Sequence, residues 1–93
     1  MLNVKTVADR LAKSETEVLE QSLRGYLLRE MGLIEAELRR YRERYNVVDA
    51  QELRLLIEVG TIPTHPAWED YLEWINGLEA VADLHELLRS AER

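Results

Sequence analysis

A heptad repeat in the middle of the chain is the feature that most constrains its fold. Apolar residues from Leu27 to Tyr45 alternate steps of four and three, and no proline occurs before Pro63. This spacing puts them all on one seam of a helix, as in coiled coils. The seam consists of Leu27, Met31, Ile34, Leu38, Tyr41 and Tyr45. The pattern predicts a long helix over residues 15–45, which begins after the capping box "SETE".

Two glycines inside this segment leave its continuity open. Gly25 and Gly32 are seven residues apart, so they share a helix face, and each costs about 1 kcal/mol relative to alanine. Either they let another helix approach closely, or Gly32 caps one helix and a second helix follows. No N-cap residue follows Gly32, which favours a single helix.

Three further helices are predicted around the long one. They cover residues 4–12, residues 50–59 after the N-cap Asp49, and residues 66–91, which open on Pro66. A chain of 93 residues is long enough for a single domain. The predicted fold class is all-α, an elongated, long antiparallel helical hairpin with two short accessory helices.

The stretch "GTIPTHPAWEDYLEW" contains both prolines and both tryptophans of the chain. A residue before proline avoids helical backbone, so Ile62 and His65 are expected to be extended. The stretch therefore predicts a hinge that reverses the chain. Beyond it, Trp68 is expected to be buried on the long helix. Trp74 lies at the edge of the same arc and is expected to contact another chain.

The apolar face of the last helix changes at Asn76-Gly77. One interpretation is a kink or turn at this dipeptide. The other is a straight helix that packs on the long helix first and on a different chain later.

The length of the long helix predicts a homodimer. Thirty-one residues span about 46 Å, whereas a compact domain of this size is roughly 30–35 Å across. The heptad seam is therefore expected to lack cover from its own chain. The predicted partner or dimer contacts are Leu27, Met31, Ile34, Leu38, Tyr41, Tyr45 and Trp74.

Residue types that carry catalysis or bind metals are scarce. The chain has two histidines, three serines and no cysteine. His85 lacks the Glu-x-x-His spacing of helical metal sites, and His65 beside a proline is typical of a turn. Neither a nucleophile elbow nor a glycine-rich phosphate loop is present. We therefore predict no enzyme, no metal site and no cofactor.

The charge of the chain is negative and unevenly distributed. The net charge is −6, and residues 60–93 hold seven acids against two arginines, a balance of −5. Such a surface repels phosphate and favours a basic protein partner. No segment of the sequence predicts a signal peptide or a membrane span, so a cytoplasmic protein is expected.

A short helix, a capped turn and a second helix over residues 6–27 have the order of helix-turn-helix and ribbon-helix-helix modules. One alternative function is therefore a DNA-binding transcriptional regulator that uses these residues. Another is a self-assembling helical protein of unrelated role.

Three stretches of the sequence resemble a group of small helical prokaryotic proteins. They are "VADRLAKSETEVLEQSLRGYLLREM", "ELRRYRERYNV" and "IEVGTIPTHPAWEDYLEWINGLE", which together span about residues 6–80. Members of this group are regarded as putative antitoxins of type II toxin–antitoxin pairs. Asn46 stands where glycine is usual, a position that the left-handed cap conformation tolerates. The resemblance implies a non-catalytic, antitoxin-like protein-binding module that neutralises a basic partner protein, and it implies no catalytic residues.

Overall fold

The computed structural model describes residues 2–91, and these residues form four helices and no strand. The helices are α1 (Val4–Leu11), α2 (Glu15–Tyr45), α3 (Ala50–Glu58) and α4 (Thr64–Ala91). α4 packs on α2, α3 packs on α4, and α1 packs on α2. The molecule measures 60 × 29 × 17 Å, so the predicted elongated all-α hairpin is confirmed. Glu92 and Arg93, which contribute to the acidic balance given above, lie outside the described residues.

α2 is one continuous helix of 31 residues, as the sequence predicts. At its start, the Ser14 side chain accepts a hydrogen bond from the Glu17 amide at 3.1 Å. Asn46 ends the helix in the left-handed conformation, with φ of 53°. A Cβ added at Gly25 or Gly32 would meet no atom within 4 Å. Gly32 is therefore not a C-cap, and neither glycine permits a close approach inside this chain.

The segment between α3 and α4 reverses the chain where the sequence predicts a hinge. Gly60 ends the α3 region with φ of 80°, a conformation that favours glycine. His65 has extended backbone, with φ of −115° and ψ of 135°, and Ile62 lies outside the helices. Ile62 also packs against the core. The two positions before proline thus have the predicted non-helical backbone.

The hydrophobic core lies at one end of the hairpin. We call this the closed end, because α3 connects α2 to α4 there. Leu53 is completely buried at its centre. The buried residues of this core are Leu38, Tyr41, Val47, Ala50, Leu53, Ala67, Tyr71 and Trp74.

The opposite end, which we call the open end, consists of α1, residues 15–33 of α2 and residues 78–91 of α4. Among the described side chains of this end, Ala8, Met31 and Leu88 are the buried hydrophobic residues. The described part of the chain therefore concentrates its packing at the closed end.

α4 continues without a break past Asn76-Gly77, so the kink interpretation is wrong. Its single non-helical residue is His65. Gly77 lies against α2, and a Cβ added there would be 2.7 Å from Cδ2 of Leu38. Leu88, about three turns later, is again buried and lines a groove with α2. The second half of α4 therefore stays on α2 of the same chain, which also corrects the interpretation that it turns to a different chain.

Candidate protein-interaction surfaces

The structure covers the heptad seam of α2 with the protein's own α4. Because α4 has 28 residues, it reaches most of the length of α2. The prediction that the seam lacks cover from its own chain is therefore wrong: the compact diameter on which it rested does not apply to a molecule 60 Å long. In the structure Met31, Leu38 and Tyr41 are buried, whereas Leu27, Ile34 and Tyr45 are half-buried.

The burial of the two tryptophans differs from the prediction. Trp74 is 3% exposed, and its ring stacks on that of Tyr41 with 5.9 Å between ring centroids. Trp68 is 36% exposed and tilts against Tyr71 at 5.2 Å. The prediction failed because the arc of α4 that faces α2 includes Trp74 and Gly77, whereas Trp68 lies outside this arc. Trp74 is thus a core residue of the single chain.

Two tyrosines of the seam bridge α2 to α4 through carboxylates. The Tyr41 hydroxyl donates to Oε2 of Glu73 at 2.5 Å, and the Tyr45 hydroxyl donates to Asp70. Arg44 also donates to Asp70, at 2.8 Å. The partners are 32 and 25 residues apart in sequence, so no local pattern could reveal them. These bonds fix which turn of α4 lies beside which turn of α2.

The tyrosine hydroxyls act as hydrogen-bond donors. The hydrogen bond to Glu73, with burial, raises the pKa of Tyr41 to about 12. Burial raises the pKa of Tyr45, and the hydrogen bond to Asp70 adds to the effect. Both phenols therefore keep their protons at neutral pH and donate to the carboxylates of α4, which is a structural role.

The face of α4 turned away from α2 carries a row of exposed residues. Its members follow helical spacing, with steps of four, seven, four and three residues, and every one of them is exposed. Two apolar residues come first and three acidic residues follow. We call this surface the outer stripe; it consists of Trp68, Leu72, Glu79, Asp83 and Glu86.

The outer stripe carries negative charge that the described chain balances only in part. Glu86 pairs with Arg89 at 2.6 Å, whereas Glu79 and Asp83 make no ion pair with any residue in the 2–91 range. At the start of α4, His65 contacts Glu69 at 2.7 Å. A backbone hydrogen bond and His65 lower the pKa of Glu69. An exposed apolar pair beside unpaired carboxylates is suited to a basic protein surface.

A second set of exposed apolar residues lies at the open end, on the first half of α2. The members of this surface lie beside the covered seam, and their side chains are exposed, except that Glu30 is half-buried. They follow heptad steps of four, three, four and three residues. We call it the open-end stripe; it consists of Leu19, Leu23, Tyr26, Glu30 and Leu33. Sequence reasoning missed this stripe as a contact surface, because it followed only the seam that begins at Leu27.

The DNA-binding alternative fits the structure poorly. In helix-turn-helix proteins, the N-terminal residues of the second helix contact the bases. Here the first two turns of α2 expose Glu15, Glu17 and Glu20, which phosphate would repel. Lys13, between the helices, donates to Gln21 at 3.0 Å. Residues 6–27 form the predicted helix pair but present acids where a recognition helix needs donors.

The described surface has no evident metal site, and its most apolar groove is small. Among residues 2–91, no group of three His, Cys, Asp or Glu side chains could hold a metal ion. The apolar groove beside Leu88 has a volume of about 240 Å³, below the roughly 300–1,000 Å³ of typical ligand pockets. The groove between α2 and α4 beside Gly77 reaches about 440 Å³, and its lining includes Tyr41 and Glu73, which hydrogen-bond to each other. No helix in this range is long and apolar enough to cross a membrane. That the chain is not an enzyme and binds no cofactor remains a prediction.

Comparison with known proteins places the chain in a family. Neither the curated proteins nor the solved structures include a significant match. A family model described as "Uncharacterized protein MJ0235 family" matches residues 1–93. Because the match covers all four helices and both exposed stripes, the chain belongs to the MJ0235 family.

Proposed function

We propose that this chain is a non-catalytic protein-binding module with an antitoxin-like role, acting in the cytoplasm. It neutralises a basic partner protein by binding it along the outer stripe. The observation that carries the proposal is the arrangement of this stripe, in which exposed Trp68 and Leu72 share a helix face with the unpaired carboxylates of Glu79 and Asp83. Aromatic anchors supply most of the energy of protein interfaces, and charge at the rim selects the partner.

The size and charge of the outer stripe support a protein as the ligand. From Trp68 to Glu86 the stripe spans about 27 Å at 1.5 Å per residue. This length accommodates a helix or an extended segment of a partner. The net charge of −6 steers a basic protein towards it. The resemblance of the sequence to putative antitoxins supports a toxin as that basic protein.

The test is co-expression with the products of the genes on either side of this one. We expect one product to be a small basic protein that arrests growth alone and co-purifies with this chain. A variant with Trp68→Ala, Leu72→Ala, Glu79→Gln and Asp83→Asn should lose both co-purification and rescue of growth. Leu55→Ala with Val59→Ala is the matched control, because Leu55 of α3 and Val59 directly after α3 are exposed and lie outside the stripe.

Two results would overturn the proposal. The first is that no neighbouring product binds the chain or is neutralised by it. The second is salt-dependent binding to duplex DNA that the stripe variant retains, which would favour a DNA-binding regulator. Circular dichroism of each variant should show unchanged helix content, so that loss of binding is not confused with unfolding.

A further inference from the structure

The open-end stripe is an apolar surface that the fold of the single chain leaves unexplained. Leu19, Leu23, Tyr26 and Leu33 are 50%, 63%, 61% and 58% exposed. With Glu30 they keep the heptad spacing of a helix that packs against another helix. Leu19 borders α1 and Leu23 borders the groove beside Leu88 of α4. The hairpin still leaves half or more of each side chain exposed, because α4 covers the adjacent seam. A second helix is therefore the shape of partner that the stripe fits.

The exposed area of the chain is large enough for a stable dimer. The chain exposes 7170 Å², whereas a compact monomer of 10.9 kDa is expected to expose about 5,600 Å². The excess is about 1,600 Å² per chain, and a standard interface buries about 800 Å² per partner. Half of the excess is thus enough for a specific interface between two copies.

We propose that the open-end stripes of two copies pack against each other in an antiparallel homodimer. The stripe complements itself in the register that sets Leu23 opposite Leu33 of the second copy. The same register sets Tyr26 opposite the second copy's Glu30. Two-fold symmetry makes each contact occur twice. The central Tyr–Glu pair repeats the contact that Tyr41 and Glu73 already make between α2 and α4.

A second copy fits this stripe better than a basic protein does. The stripe carries one charged residue, Glu30, and the register above gives that residue a hydroxyl donor. A basic protein would find unpaired acids on the outer stripe instead. The dimer pairs α2 with α2, so the result is a four-helix arrangement of two hairpins in which each outer stripe of α4 stays available.

The first test is the mass of the chain in solution, measured by sedimentation and light scattering from 1 to 100 µM. We expect a dimer for the native chain and a monomer for the double variant Leu23→Gln with Leu33→Gln. The dissociation constant of the variant dimer should be at least a hundredfold higher than that of the native dimer. The matched control is Leu28→Gln with Leu55→Gln. Both of these leucines are similarly exposed but lie off the stripe, so the control should stay a dimer.

The second test determines the relative orientation of the two α2 helices. Because the chain has no native cysteine, only the introduced cysteines can cross-link. We expect a mixture of Leu23→Cys and Leu33→Cys chains to cross-link with a short bis-maleimide, whereas neither variant cross-links alone. Cross-linking of Leu23→Cys with itself would overturn the antiparallel register. A monomer for the native chain at 100 µM, or a dimer that survives the double glutamine variant, would overturn the interface.

The two proposals can fail separately. The variant of the outer stripe should remain a dimer, and the monomeric variant of the open-end stripe should keep its fold by circular dichroism. If the outer-stripe variant also became monomeric, the dimer would use α4 and the interface proposed on α2 would be wrong.

Discussion

The closed and open ends of the hairpin share the long helix α2 but differ in how much of it is covered. At the closed end α2 packs against α4, and α3 also packs on α4 there. Leu38, Tyr41 and Trp74 are buried as a result. At the open end the same helix meets the last turns of α4 and the eight residues of α1. Leu23, Tyr26 and Leu33 consequently stay exposed there. Equal helical periodicity therefore does not imply equal packing.

This difference in cover separates the part of the chain that stabilises the fold from the part that leaves surface for binding. Buried apolar area is the main source of folding free energy, at about 25 cal/mol per Å². The closed end therefore holds the fold together. The open end contributes less and leaves apolar surface for contacts with other molecules. Substitutions inside the closed-end core should therefore cost more free energy of unfolding than substitutions outside it.

The largest expected effect is the contrast between the two tryptophans. Trp74→Ala should lower the free energy of unfolding by about 3–5 kcal/mol, because it leaves a cavity beside Tyr41 in the closed-end core. Trp68→Ala should cost about 1–2 kcal/mol, since its ring is partly exposed. Urea titration followed by circular dichroism measures both. Equal losses for the two variants would contradict the burial difference.

The next largest effect is expected for Tyr41→Phe, which removes the hydrogen bond between Tyr41 and Glu73. This substitution should lower the free energy of unfolding by about 1–2 kcal/mol. The pKa of Tyr41 is about 12 in the folded chain and about 10 in an unfolded one. The raised pKa means that this stabilisation is complete below pH 10 and is lost as the pH rises towards 12.

The measurement is the free energy of unfolding at pH 8 and at pH 11.5. The difference between the native chain and Tyr41→Phe should shrink at the higher pH. Burial also raises the pKa of Tyr45, but Tyr45 is present in both proteins. A double-mutant cycle with Glu73→Gln should give a coupling energy near 1 kcal/mol at pH 8. A difference that is the same at both pH values would contradict the assignment.

The smallest effects concern the glycines of the two ends, and they should have opposite signs. Gly25→Ala and Gly32→Ala should each stabilise the chain by about 0.5–1 kcal/mol, because the new methyl groups meet open space and alanine favours helix. Gly77→Ala should destabilise it by about 1 kcal/mol, because the methyl group would press on buried Leu38.

Thermal melts of the three glycine variants measure this contrast at constant protein concentration. A stabilising Gly77→Ala would show that Leu38 can shift without cost, so that the hairpin does not require the glycine. A destabilising Gly25→Ala, accompanied by loss of dimer mass, would place a close helix contact on the glycine face instead of on the open-end stripe.

The sequence by itself determined the helices and the hinge. Ser14 and Asp49 accept hydrogen bonds from amides three residues later, Asn46 has the left-handed conformation, and His65 before its proline is extended. These features depend on bonds and steric contacts between residues near one another in the chain. A local pattern therefore suffices to predict them.

The tertiary structure alone decided which apolar residues were covered and by what. Heptad spacing gives the same seam whether α4 of the same chain or a helix of another chain lies on it, so the sequence could not choose between them. It also could not show that Trp74, and not Trp68, faces α2. A helix face becomes part of the core only when a distant segment packs against it. Here that segment is α4, because α3 connects it back to α2 and its length lets it cover the seam.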